Sequence, residues 1–164
     1  MYLLNGSPWR RTTLLLTIFF MLWQASNALA DTQQSLTVVK GETSSVLSLN
    51  KIESLGLHKV TMQHPEGPQG TFSGVWLDAL LKSQELDKAQ RVRFIAEDGY
   101  TTFLSSKERR EKQYLLVTRL DGKPVTQKDL GPYMLIVPED AQAALEGTAS
   151  ITRWIWAVRK IQVR

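Results

Sequence analysis

Phe72-Ser73-Gly74-Val75-Trp76-Leu77-Asp78-Ala79-Leu80-Leu81 is the stretch whose reading decides the fold. Its first half, with Thr71 ahead of it, is β-prone and runs straight into a second half with a different period. Trp76, Leu77, Leu80 and Leu81 recur at helical spacing and make one apolar stripe over residues 76–82. Just upstream, residues 64–70 (HPEGPQG) are the densest Pro/Gly segment and predict a loop. Before that loop, residues 57–62 (LHKVTM) alternate apolar and polar, the pattern of a half-buried strand.

The same reading extends in both directions. Toward the N-terminus, residues 36–39 form a short β-run closed by Gly41, and Ser48 is placed to cap a helix over 49–55 that Gly56 ends. Toward the C-terminus, Val92, Phe94 and Ala96 alternate with Arg91, Arg93 and Ile95, and Asp98-Gly99 joins this run to residues 100–104 as a hairpin. Ser105-Ser106 can cap a charged helix over 107–112, whose mixed signs predict a solvated face. Strands follow over 114–120 and 133–137, with Asp121-Gly122 as a second turn. A short helix is expected over 141–145 and a closing strand over 154–163. Strands dominate, and both Asp-Gly turns demand antiparallel neighbours. The expected class is α+β, a single domain with a mixed, mainly antiparallel sheet and short helices.

Residues 1–30 have the pattern of a cleaved signal peptide. Arg10-Arg11 precede an apolar run over 14–23 (LLLTIFFMLW), and Ala28-Leu29-Ala30 offers a cleavage site after Ala30. A bilayer span needs about 20 apolar residues, which favours a leader over an anchor. The general secretory and twin-arginine routes both remain open. The expectation is a periplasmic or otherwise exported domain over residues 31–164, with no transmembrane anchor after cleavage. The formal charge of +4 includes the two leader arginines, so 18 Lys+Arg remain against 16 Asp+Glu in residues 31–164. A balance of +2 gives no ground for a nucleic-acid partner.

The chain has no cysteine, which excludes thiol nucleophiles, disulfides and thiolate metal ligands. Its two histidines, His58 and His64, fall short of a four-ligand zinc set. No G-x-S-x-G element, phosphate loop or dinucleotide fingerprint is present. Glu97, Asp98 and Asp121 could supply paired carboxylates, but turn formation accounts for both aspartates. Arg153-Trp154-Ile155-Trp156 is more suggestive. Its two indoles fit either the core of a small domain or a stacking shelf for a flat ligand, with an arginine beside it for an anionic group.

Taken in order, the segment Phe72 to Leu81, Asp98-Gly99-Tyr100, Asp121-Gly122-Lys123-Pro124-Val125, Gly131-Pro132-Tyr133-Met134-Leu135-Ile136-Val137-Pro138 and Arg153-Trp154-Ile155 resemble the motifs of the sulfite-oxidase-type molybdopterin-binding domain. The likeness covers residues 57–163. It implies that family's fold and, by itself, a molybdopterin cofactor. Two positions depart from the family. Val60-Thr61-Met62-Gln63 runs into His64, so that His64 or its neighbours occupy the place of the family's metal-binding cysteine, and Met134 stands where the family has an arginine. The chain is similar to short exported members of the superfamily.

A thiolate is a soft, anionic donor suited to an oxo-metal, and a neutral imidazole is not. No cofactor is therefore expected. The expected function is a non-catalytic module that binds a small-molecule ligand or a membrane-associated protein partner. Its candidate contacts are His64, Gly67, Tyr100, Arg153 and Trp154. The alternative is a molybdopterin-dependent oxidoreductase, or its electron-transfer subunit, with a non-cysteine metal site.

Overall fold

Among the described residues ten strands divide between two sheets of five. In the computed structural model, residues 34–163 are described. The expected leader over 1–30 and its cleavage site lie outside the described residues. The first sheet has the order β2 (Thr43–Ser48), β1 (Ser35–Lys40), β10 (Val158–Val163), β5 (Arg91–Ala96), β6 (Thr101–Ser105). Only β1 and β10 pair in parallel; the other neighbours are antiparallel. Val92, Phe94 and Ala96 are buried along β5, while Arg91, Arg93 and Ile95 are not, as their alternation predicts.

The second sheet runs β3 (His58–Gln63), β4 (Gln69–Trp76), β7 (Leu115–Leu120), β8 (Lys123–Pro124), and β9 (Met134–Ile136) also pairs with β7. All of these pairings are antiparallel. Among the described residues four short α-helices interrupt the strands: α1 (Leu49–Glu53), α2 (Leu77–Ser83), α3 (Ser106–Glu111) and α4 (Ala141–Leu145). The expected α+β class with mainly antiparallel sheets and short helices holds, with the strands forming two sheets where one was expected. Buried residues from both sheets, among them Leu36, Phe72, Phe94, Leu116, Leu135 and Ile161, join one hydrophobic core. No helix among the described residues is long and apolar enough to cross a membrane.

The stretch that opened the sequence reading shows its reason at Gly74. Strand β4 shifts register against β7 between Ser73 and Gly74. A Cβ on Gly74 would lie 2.7 Å from both the Leu116 carbonyl carbon and the Val117 Cα. Only a residue without a side chain admits β7 so closely. The strand then passes directly into α2, with Trp76 as its N-cap residue and Leu77, Leu80 and Leu81 buried.

Two local expectations change. Helix α3 is capped as the sequence suggests, with Ser105 and Glu108 in a reciprocal capping box. It is not a wholly solvated element, because Arg109 is buried. Its guanidinium donates to the carbonyls of Asp87 and Ala89 and lies 3.9 Å from Asp78 Oδ1. Those carbonyls belong to the irregular connection between α2 and β5, which has no ladder to satisfy them. The closing strand also begins later than expected, at Val158 rather than residue 154. Ala157 adopts a left-handed φ of 52° and turns the preceding segment away from the first sheet. That segment instead bridges to the second sheet, Ile155 exchanging backbone hydrogen bonds with Leu135 at 2.7 and 3.1 Å.

Candidate functional site

The turn at Ala157 leaves residues 151–156 as the wall of a cavity of about 310 Å³. Its lining comprises Glu66 from the β3–β4 loop, Ala96, Asp98 and Tyr100 from the β5–β6 hairpin, and Ile151, Thr152, Trp154, Ile155 and Trp156. Trp154 and Trp156 flank the bridge residue Ile155, so the two indoles fall two apart along a locally extended segment. Trp154 is only 2% exposed, and its Nε1–H has no hydrogen-bond partner among the described residues. A buried indole N–H left without an acceptor is costly and uncommon. Trp154 thus packs in the core and also lines the cavity.

His64 sits behind this wall. Strand β3 ends at Gln63, and the loop then folds about His64 itself. The His64 N–H donates to Pro68 O at 3.0 Å, its carbonyl accepts from the Gly67 N–H at 3.2 Å, and its Nδ1 accepts from the Glu66 N–H at 3.1 Å. The ring meets Trp154 and Trp156 edge-on, with centroids 5.4 and 5.9 Å away. Burial pushes the imidazole down from 6.5 to about 4. It is therefore neutral at neutral pH, with the proton assigned to Nε2 because Nδ1 is an acceptor. His58, at the other end of β3, lies beside Trp76 at 5.1 Å, so the two histidines do not converge.

Gly67 is held by close packing. A Cβ there would lie 2.5 Å from Leu130 Cδ1 and 3.1 Å from His64 Nδ1. Tyr100 is half exposed at the mouth of the cavity, and its backbone N–H donates to Asp98 Oδ1 at 2.9 Å. Arg153 goes elsewhere. Its Nε pairs with Glu108 Oε1 at 2.7 Å, and it lines a separate polar groove with Glu111, Tyr114, Asp140 and Thr148. Hydrogen bonds from the Ser105 backbone and hydroxyl, with Arg153 adding to them, hold the Glu108 carboxyl down at about 2. In the same groove, burial and then the Glu108 charge push the Tyr114 phenol up to about 12.

The structure thus brings Tyr100 and Trp154 to one cavity, places His64 and Gly67 in the loop that backs it, and directs Arg153 away. The sequence offers Trp156 only as one indole of the Trp154–Trp156 pair, and it does not point to Glu66 or Asp98. Asp98 was explained by its turn, and Glu66 carried no signal beyond lying in the Pro/Gly loop. Among the described residues no three His, Asp or Glu side chains are grouped to hold a metal ion.

No protein-family model matches the chain, and no curated protein matches it. Its fold is similar to that of the sulfane dehydrogenase SoxCD from Paracoccus pantotrophus, with a TM-score of 0.57 at 14% sequence identity. The match covers 81% of this chain and 38% of that one, so the chain spans well under half of the structure it resembles. At that identity the likeness shows the fold alone.

Proposed function

We propose that the chain is an exported, non-catalytic small-ligand-binding module on a sulfite-oxidase-type scaffold. The observation that carries this reading is the cavity bounded by Trp154, Trp156 and Tyr100, with a buried indole N–H that lacks an acceptor. A concave, mostly apolar site with a few polar groups is the usual form of a small-molecule pocket, and about 310 Å³ is within the usual range. The distant likeness to a sulfane dehydrogenase and the order of the sequence motifs support the scaffold. Export rests on the pattern of residues 1–30.

The alternative, a molybdopterin-dependent oxidoreductase, meets a mismatch in donor chemistry. By the resemblance, the family's thiolate position falls at or next to His64. The Nδ1 lone pair of that residue is already engaged by the Glu66 N–H, and its ring is packed edge-on against two indoles. To ligate a metal it would have to surrender that hydrogen bond and leave its packing, and it would still supply a neutral donor in place of a soft anion. Two carboxylates in the cavity lining, with no lysine or arginine among them, are also poor company for an anionic pterin phosphate.

The test is to purify the protein from its native compartment and measure molybdenum and released pterin, then follow thermal stability with a panel of small molecules. The expected result is substoichiometric metal and a rise in Tm with at least one compound, since a ligand that binds only the folded state raises its stability. One molybdenum per chain, with turnover, would overturn the reading.

A further inference from the structure

The charge of the cavity lining identifies the class of ligand, given that the cavity is a binding site as proposed above. Three aromatic side chains, Tyr100, Trp154 and Trp156, share it with two carboxylates, Glu66 and Asp98. Among the described residues no lysine, arginine or histidine is in the lining. Arg153 is paired with Glu108 at 2.7 Å, and Arg159 touches the lining only from outside, its Nε donating to the Ala96 carbonyl at 3.1 Å. His64, packed against both indoles, is neutral. The sequence alone suggested an arginine beside the indole shelf and hence an anionic ligand. The structure turns Arg153 toward Glu108, and the charged residues of the lining itself are the two carboxylates.

We infer that this cavity binds an organic cation, an ammonium or quaternary ammonium group. Aromatic rings attract a cation through their negative faces, and the attraction grows as water is excluded. Carboxylates at the mouth add a favourable field that a neutral or anionic ligand would not gain. The ligand must be small, since the space is about 310 Å³.

Choline and its uncharged isostere 3,3-dimethylbutan-1-ol separate charge from shape, and benzoate stands for the flat anion. Binding of each to the purified protein is followed by tryptophan fluorescence and checked by the shift in Tm. Choline is expected to bind at least about tenfold more tightly than the isostere, and benzoate not at all. The double variant Glu66→Gln, Asp98→Asn should lose most of that preference while keeping the melting temperature of the unliganded protein. Equal binding of the isostere, tighter binding of benzoate, or no response to choline would each overturn the cation assignment. The binding-module reading falls separately, on the metal and pterin measurement.

Discussion

Acidification should destabilise this protein through one residue, His64. Its imidazole titrates at 6.5 in an unfolded chain and is pushed to about 4 in the fold by burial. Between those values the unfolded chain binds a proton that the folded chain does not. Stability must then rise with pH across this window: it is fully present above 6.5 and lost as pH falls to 4. At pH 5 the loss attributable to His64 is about 2 kcal/mol, approaching about 3 kcal/mol below pH 4. The structural reason is that the ring is 1% exposed, sits against two indoles and offers its Nδ1 to the Glu66 N–H. His64→Asn keeps an acceptor near the Nδ1 position without a group that titrates there. Urea unfolding of both proteins at pH 7.5, 6, 5 and 4 isolates the effect, because other titrating groups cancel in the difference. The variant starts less stable, having lost ring packing, and the gap should narrow as pH falls. Parallel stability curves for the two proteins would refute the reasoning.

The remaining predictions concern backbone packing and a charged link between elements. Gly74→Ala forces a methyl against the β7 backbone at 2.7 Å and should cost about 3 kcal/mol, read as a fall in urea midpoint; an unchanged midpoint would show that β4 and β7 approach less closely. Glu53 on α1 receives the Arg119 Nε and Nη2 at 2.7 and 2.9 Å and the Thr118 hydroxyl at 2.8 Å. Glu53→Ala removes the carboxylate from a partly buried guanidinium, whose Nη1 still donates to the Gly122 carbonyl at 3.2 Å, and should cost about 2 kcal/mol at neutral pH, measured by thermal unfolding. A loss within error would mean that water replaces the carboxylate.

Local chemistry was legible in the sequence where a single backbone rule governs it. The Asp98-Gly99 hairpin, the Ser48 and Ser105 caps and helix α4 all depend on neighbours within a few residues, and each stands in the structure. The parallel pairing of β1 with β10 brings together strands from opposite ends of the described chain, and no local pattern encodes it. The division into two sheets is hidden for the same reason. Ala157 illustrates a different obstacle. A left-handed φ at a residue with a side chain is unfavoured, so nothing local announces the turn that makes residues 154–156 a cavity wall instead of the start of β10. Arg109 was misread because helical charge alternation looks the same whether or not one guanidinium finds buried carbonyls. At the site, aromatic residues were conspicuous by composition, and Tyr100 and Trp154 do share the cavity. The destination of Arg153 was not readable, because its partner Glu108 lies 45 residues away in sequence.

The claim that most needs testing is that the wall built by Trp154 and Trp156 is where a ligand sits. Each indole N–H gives its own NMR resonance, and Trp76, beside His58 and not among the cavity-lining residues, is an internal control. Titration with choline should move the Trp154 and Trp156 indole resonances saturably and leave that of Trp76 in place. If neither resonance moves with choline, with its uncharged isostere or with benzoate, the cavity is packing space and the account fails.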